Sequence, residues 1–242
     1  TPNKLIDKEG LRFWFAQDQQ FFSPKGDIYI SFDMAAFSSS LAAVAAKRIW
    51  LSALNDYLQA KYYRAEIAGL HYRIYGHQAG FTIHTRGFTE QQTLLVNQLL
   101  DAVTAFSPTQ KSFEHYKELQ LQSLQNSLLN KPTNRLFSRL SVLIQRNTQA
   151  PIELLDAVTH STYEAMLATC KDAFSHYYVD SFMHGNWSLE HANTFADALV
   201  TQCTNANGKP LSRAVSKLSA GEALYHHVPC EHDDAAVVLY LQ

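Results

Sequence analysis

The stretch that decides the fold is Leu41-Ala-Ala-Val-Ala-Ala-Lys-Arg-Ile-Trp-Leu-Ser-Ala-Leu-Asn-Asp-Tyr-Leu58, followed by Leu70-His-Tyr-Arg-Ile-Tyr75 and Phe81-Thr-Ile-His-Thr-Arg86. Leu41, Val44, Leu51, Leu54 and Leu58 are spaced 3, 7, 3 and 4 apart, which places them on one face of a helix. Gly69 closes that helix, because a residue without Cβ enters the left-handed region at no steric cost. The next two runs switch to a period of two. Leu70, Tyr72 and Ile74 alternate with His71, Arg73 and Tyr75; Phe81, Ile83 and Thr85 alternate with Thr82, His84 and Arg86. Joined through Gly76–Gly80, they predict an antiparallel hairpin with one buried face. A helix lying on that face begins a two-layer α+β domain with an antiparallel sheet packed against helices.

Outward from this stretch the same reasoning gives a strand at Leu11–Phe15, a loop over Gln17–Pro24, and a second strand at Ile28–Phe32. After the hairpin, Thr89-Glu-Gln-Gln92 and Ser161-Thr-Tyr-Glu164 have the form of capping boxes. Pro108, Pro132 and Pro151 mark helix starts, with the Pro108 helix reaching Leu129. Tyr177–Met183 reads as a strand, His184-Gly-Asn186 as a turn, and Ser188 as the cap of a helix to Val200. From Thr201 to Ser219 the composition shifts to Asn, Gly, Lys, Ser and Pro, which predicts a linker. The final Ala235–Gln242 run reads as a strand of a further domain, so the expected division is 1–200 and 201–242, within a longer chain.

Composition narrows the function. The 242 residues are 46% hydrophobic and 17% charged, as in an ordinary globular protein. A net charge of -2 argues against nucleic acid as a partner, since a phosphate-backbone binder needs a basic face. No apolar run is long enough to span a membrane, and no signal-peptide pattern opens the chain. Cys170, Cys203 and Cys230 lack C-x-x-C spacing and read as buried free thiols. No G-x-S-x-G, G-x-G-x-x-G or P-loop occurs. Asn186-Trp-Ser188 matches a glycosylation sequon, a pattern short enough to arise by chance.

A zinc hydrolase built on a helix needs two His four residues apart, so that both imidazoles face one ion. The 11 His stand at 71, 77, 84, 115, 160, 176, 184, 191, 226, 227 and 232, and no two are separated by four. H-E-x-x-H and H-x-x-E-H are therefore both absent. The residual metal candidate is His226-His-Val-Pro-Cys-Glu-His-Asp-Asp234, whose alternative is a polar loop; His160 with Glu164 reads as a capping or surface pair. The hairpin's outer face carries His71, Arg73, His84 and Arg86. It is either a solvated sheet face or a basic wall for an anionic or carboxylate-bearing ligand.

Several motifs, in order, resemble the third domain of the long-chain insulinase/pitrilysin metallopeptidases. A Q-D-x-x-F-x-x-P-K loop falls on Gln17, Asp18, Phe21, Pro24 and Lys25; a Y-x-A-x-x-A-G-L helix end falls on Tyr63, Ala65, Ala68, Gly69 and Leu70. Arg86-Gly-Phe88, Phe113-Glu-His-Tyr-Lys-Glu118 and His184-Gly-Asn186 follow, so the likeness covers about residues 5–200. Phe88 and Lys61 depart from the family pattern. The resemblance implies an insulinase/mitochondrial-processing-peptidase-like fold and a domain that is the non-catalytic counterpart of a zinc-binding one. It implies no cofactor in this chain and zinc in the N-terminal half of a longer metalloendopeptidase. The two halves would close around a peptide substrate, with this domain as chamber wall and its partners the other domains of the same chain. His71, Arg73, His84 and Arg86 then become candidate peptide contacts, and the chain alone is expected to be inactive. A pitrilysin-like protein would be periplasmic. The alternative is a scaffold or interaction domain of a homologue without activity.

Overall fold

The computed structural model describes every residue except Arg146, Ala220, Cys230 and Glu231. Among these described residues, six strands form one sheet: β1 (Asn3–Lys8), β2 (Leu11–Gln17), β3 (Lys25–Asp33), β4 (His71–His77), β5 (Gly80–Phe88) and β6 (Tyr178–Gly185), in the order β1-β2-β6-β3-β5-β4. Pairing is antiparallel throughout except between β2 and β6, which run parallel. The expected antiparallel sheet is therefore mixed. β6 returns after a long helical excursion and inserts between β2 and β3, which short-range patterning does not encode. β1, on the far edge, carries too little apolar alternation to be read from sequence.

Among the described residues, seven helices accompany the sheet: α1 (Leu41–Ile67), α2 (Thr89–Ala105), α3 (Gln110–Leu128), α4 (Pro132–Ile144), α5 (Pro151–Thr159), α6 (Tyr163–Ser175) and α7 (Leu189–Gln202), with a 3-10 turn at Ala35–Ser38. α1 starts at Ser40, whose hydroxyl accepts from the Ala43 N–H, and ends where Gly69 takes a φ of +78°. Val44, Leu51, Leu54 and Leu58 are buried as the spacing requires, whereas Leu41 in the first turn is exposed. The core lies between α1 and one sheet face, with Phe13, Ile28, Ile30, Phe81 and Ile83 below and Ile49, Trp50 and Leu54 above. α2 and α7 cover the rest of that face, and α3, α5 and α6 pack behind α1.

Several helix starts differ by a residue or two from expectation. Thr89 and Gln92 form no capping box; Phe88 precedes α2, and the buried Gln92 amide instead donates to Thr85 O and Oγ1. Thr109, not Pro108, sits ahead of α3 and accepts from Ser112 N, and Thr162, not Ser161, caps α6. At α3 and α6 the residue whose hydroxyl reaches the third following N–H wins. The Thr201–Ser219 stretch is held against the domain rather than hanging free. Gly208 N donates to Tyr177 O, Leu211 N to Asp33 Oδ2, and Ser216 N to Ile144 O. Residues 235–242 carry no strand, and Val237, Leu239 and Leu241 are exposed. Among the described residues, no helix is long and apolar enough to cross a membrane.

One buried charge has a measurable consequence. Lys47, only 5% exposed on the core side of α1, donates to His77 O at 2.7 Å. Loss of hydration pushes its amine down to about 8 from the usual 10.5, with Arg48 adding repulsion. The unfolded chain thus binds more protons than the folded one between those values, so stability rises with pH across that window. Lys47→Met is expected to abolish the rise and to stabilise the fold at pH 7 by about 1–2 kcal/mol. Urea unfolding between pH 7 and 10.5 reads both effects; an unaltered slope in the variant would contradict this account.

Candidate functional site

The helices that pack on the sheet, α1, α2 and α7, lie on one side, and the opposite face is open except at its Asp33 end, where residues 210–213 lie against it. Register arranges it in cross-strand rows. Ala16, His184, Asp27, Arg86 and His71 make one row; Trp14, Phe182, Tyr29, His84 and Arg73 make the next; Arg12, Asp180, Ser31, Thr82 and Tyr75 make the third. The four residues expected on the hairpin's outer face are therefore together: His71 opposes Arg86 and Arg73 opposes His84.

Their surroundings were only partly legible. His84 Nε2 lies 2.7 Å from Asp27 Oδ1, and its ring stacks on Tyr29 with centroids 4.0 Å apart. This pins the imidazole between an aromatic face and a carboxylate. His71 Nδ1 sits 2.6 Å from Glu66 Oε2, at the end of α1. Among the described residues, neither Arg73 nor Arg86 has a carboxylate in ion-pair range. The face thus offers two available guanidiniums beside two histidines that hold acidic partners. Asp27 and Tyr29 were missed as site residues, although their alternation with Ile28, Ile30 and Phe32 was a readable signal.

The β2–β6 end of the face is differently charged. Arg12 grips Asp180 through both Nε and Nη2, and that carboxylate raises the guanidinium's affinity for its proton. A shallow depression of about 500 Å³ lies there, floored by Trp14, Tyr29 and Phe182 and walled by Pro210 and Leu211. Asp33 holds that wall by accepting from Leu211 N at 3.0 Å and Arg213 Nη2 at 3.3 Å. At the β4 end, His77 Nδ1 accepts from Ala79 N and its Nε2 is 3.1 Å from Ser31 Oγ. Burial, with the nearby Arg213, pushes this imidazole down to about 4, so it is neutral at physiological pH.

Among the described residues no three of His, Cys, Asp and Glu converge on one point, and α1 contains no His at all. In the His226–Asp234 stretch, His226 Nε2 faces Arg139 Nε, His232 Nδ1 accepts from Asp234 N, and Cys230 and Glu231 lie outside the described residues. His160 caps the end of α5 through Asp156. Cys170 and Cys203 are buried thiols, each pushed up to about 12 by loss of hydration and so unreactive at neutral pH.

A six-stranded mixed sheet with helices packed on one side, and no His on its central helix, is an α+β domain of the two-layer class. A family model for the middle or third domain of M16 peptidases matches residues 1–157, and the chain belongs to that family. It is 31% identical over its whole length to the insulin-degrading enzyme of Drosophila melanogaster, of which it spans 25%. It is 25% identical over 79% of its length to the A-factor-processing enzyme of Saccharomyces cerevisiae, of which it spans 19%. Among solved structures, pitrilysin superposes with a TM-score of 0.78 at 18% identity, over 85% of this chain and 22% of that one. An inactive M16 peptidase domain from Pseudomonas fluorescens superposes at 0.63 with 15% identity, over 88% of this chain and 53% of that one. The chain thus spans about a quarter or less of the first two relatives.

Proposed function

We propose that this domain is the chamber wall and peptide-binding surface of a pitrilysin-like zinc metalloendopeptidase. Hydrolysis would occur at zinc in the N-terminal half of the longer chain, where a metal-activated water attacks the peptide carbonyl. The observation that carries this reading is the bare sheet face. Its ordered rows of Tyr, Trp, Phe, His and Arg suit an extended peptide, with Arg73 and Arg86 free to meet carboxylates. Residues 201–242 would lead onward, the exposed Val237, Leu239 and Leu241 pairing as a strand in a following domain. A periplasmic location belongs to the same proposal, and cell fractionation tests it. The rival reading is a scaffold or interaction domain of a homologue without activity.

The full-length protein should cleave a quenched fluorogenic peptide in a chelator-sensitive way, while residues 1–242 alone should not. In the full-length enzyme, Arg73→Ala combined with Arg86→Ala should raise KM about tenfold for an acidic peptide and leave kcat nearly unchanged. A silent full-length protein would favour the scaffold. An unchanged KM would remove this face from substrate binding.

A further inference from the structure

β4 is an edge strand, and its free side is neither bare nor fully blocked. A two-residue turn, Gln78-Ala79, joins it to β5, and the closing pair of such a turn is hydrogen-bonded. His77, Tyr75, Arg73 and His71 therefore spend their N–H and C=O groups on β5, while Gly76, Ile74 and Tyr72 point theirs away from the sheet. Two of those outward groups have side-chain partners from α1. Tyr72 N donates to Glu66 Oε1 at 3.2 Å, and Asn55 Nδ2 donates to Ile74 O at 3.1 Å. Between them stand Tyr72 C=O and Ile74 N–H, with no partner among the described residues.

This remaining pair has a direction. In a parallel ladder, one residue of the incoming strand gives its N–H to the carbonyl before its opposite number and takes the N–H after it. Tyr72 C=O and Ile74 N–H are those two groups for a residue seated opposite Arg73. An antiparallel strand passing Arg73 would need both groups of Tyr72 or both of Ile74, and would have to displace Glu66 or Asn55; it could pair without doing so only at Gly76, three residues further on. Paired residues put their side chains on the same face, so the incoming residue's side chain lies beside Arg73. The unpaired guanidinium there favours Asp or Glu. Its neighbours in the peptide turn to the α1 side, onto a groove lined by Asn55, Gln59, Tyr63, Tyr72 and Ile74.

We propose that the β4 edge binds an extended peptide running parallel to β4, with one acidic residue seated opposite Arg73. The inference rests on the peptide-binding reading above and places the peptide backbone on the sheet's edge instead of its face. Opposite Arg73, the α1 side chains Asn55 and Glu66 act as selectors, since they satisfy groups that a strand of the opposite direction would use there.

The test uses the ¹⁵N-labelled 242-residue chain and a blocked pentapeptide, Thr-Val-Glu-Val-Thr. The Ile74 amide should shift downfield and its hydrogen exchange should slow on saturation. Methylating the peptide's Glu nitrogen, which removes the hydrogen to Tyr72 C=O, should weaken binding about tenfold or more. Replacing that Glu by Lys should cost about tenfold, and Arg73→Glu, at an exposed position, should reverse the preference. Equal binding of the N-methylated peptide overturns the proposal without any protein variant. Shifts at Tyr29 and His84 with Ile74 unaffected also overturn it, and leave the peptide on the open face as proposed above. No binding at millimolar peptide overturns it too, whereas the chamber reading is judged separately by the full-length cleavage assay.

Discussion

Trp50→Ala is expected to destabilise the domain by about 3–5 kcal/mol, the range for removing a fully buried large aromatic side chain. Trp50 is completely buried, and its ring meets Phe37, Phe81, Phe106 and Phe174 at centroid distances of 5.8, 5.6, 6.1 and 5.5 Å. Those partners come from the 3-10 turn, β5, the end of α2 and the end of α6, so a single side chain on α1 joins four elements. Truncation leaves a cavity that parts anchored so differently cannot jointly close. The midpoint of thermal unfolding should fall by roughly 6–20 °C. The indole Nε1 has no hydrogen-bond partner among the described residues. Trp50→Phe should therefore be much milder, because it removes an unpaired buried donor while keeping most of the ring. Urea unfolding of both variants checks this. A loss below about 1.5 kcal/mol for the alanine variant would mean that the aromatic cluster repacks and is not the keystone described here.

The second large effect is expected at Gly185, the last residue of β6. It adopts a φ of +151°, and a Cβ there would lie 2.5 Å from Gly26 Cα and 2.7 Å from Lys25 O, both backbone atoms of the paired strand β3. Gly26 in turn lies beneath the buried Trp187, whose indole N–H donates to Thr89 O at 3.2 Å. The strand ends therefore close with glycines at 87, 26 and 185 side by side and a tryptophan laid across them. Gly185→Ala combines backbone strain with a clash that no side-chain rotation relieves, and should cost about 2–5 kcal/mol. Amide exchange should accelerate first at the Gly26 end of β3 and at Asp18, whose N–H donates to Gly185 O. A fully stable variant with unchanged exchange would refute the close approach of β3 and β6 at this end.

Much of the architecture was readable one segment at a time. The leucine spacing of α1, the alternation of β2, β3, β4 and β5, and the stop at Gly69 are local signals, and each corresponds to an observed element. Caps were less secure. Thr89 and Gln92 have the residue types of a capping box, yet Gln92 turns inward to Thr85 because burial makes pairing its amide worth more than closing the helix. Leu41 belongs to the α1 stripe by spacing, but the helix begins beyond the edge of the core and leaves it in solvent.

The candidate site divides in the same way. That His71, Arg73, His84 and Arg86 share one face follows from period-two alternation and the hairpin alone. So does the absence of a zinc helix, which is a matter of residue spacing. Which acids hold the histidines was decided only in three dimensions. Asp27 reaches His84 because β3 pairs with β5, and Glu66 reaches His71 because α1 ends beside the start of β4. The parallel insertion of β6 between β2 and β3 is likewise tertiary. It builds the open face's central row from segments more than a hundred residues apart in the chain. Sequence by itself determined the local elements, their buried faces and the absence of an H-E-x-x-H or H-x-x-E-H helix, because those depend on the spacing of neighbouring residues. Tertiary structure decided strand order, the partners of each ionisable group and the pair of free groups on the β4 edge. These depend on which distant segments meet, and that is settled by the packing of the whole core.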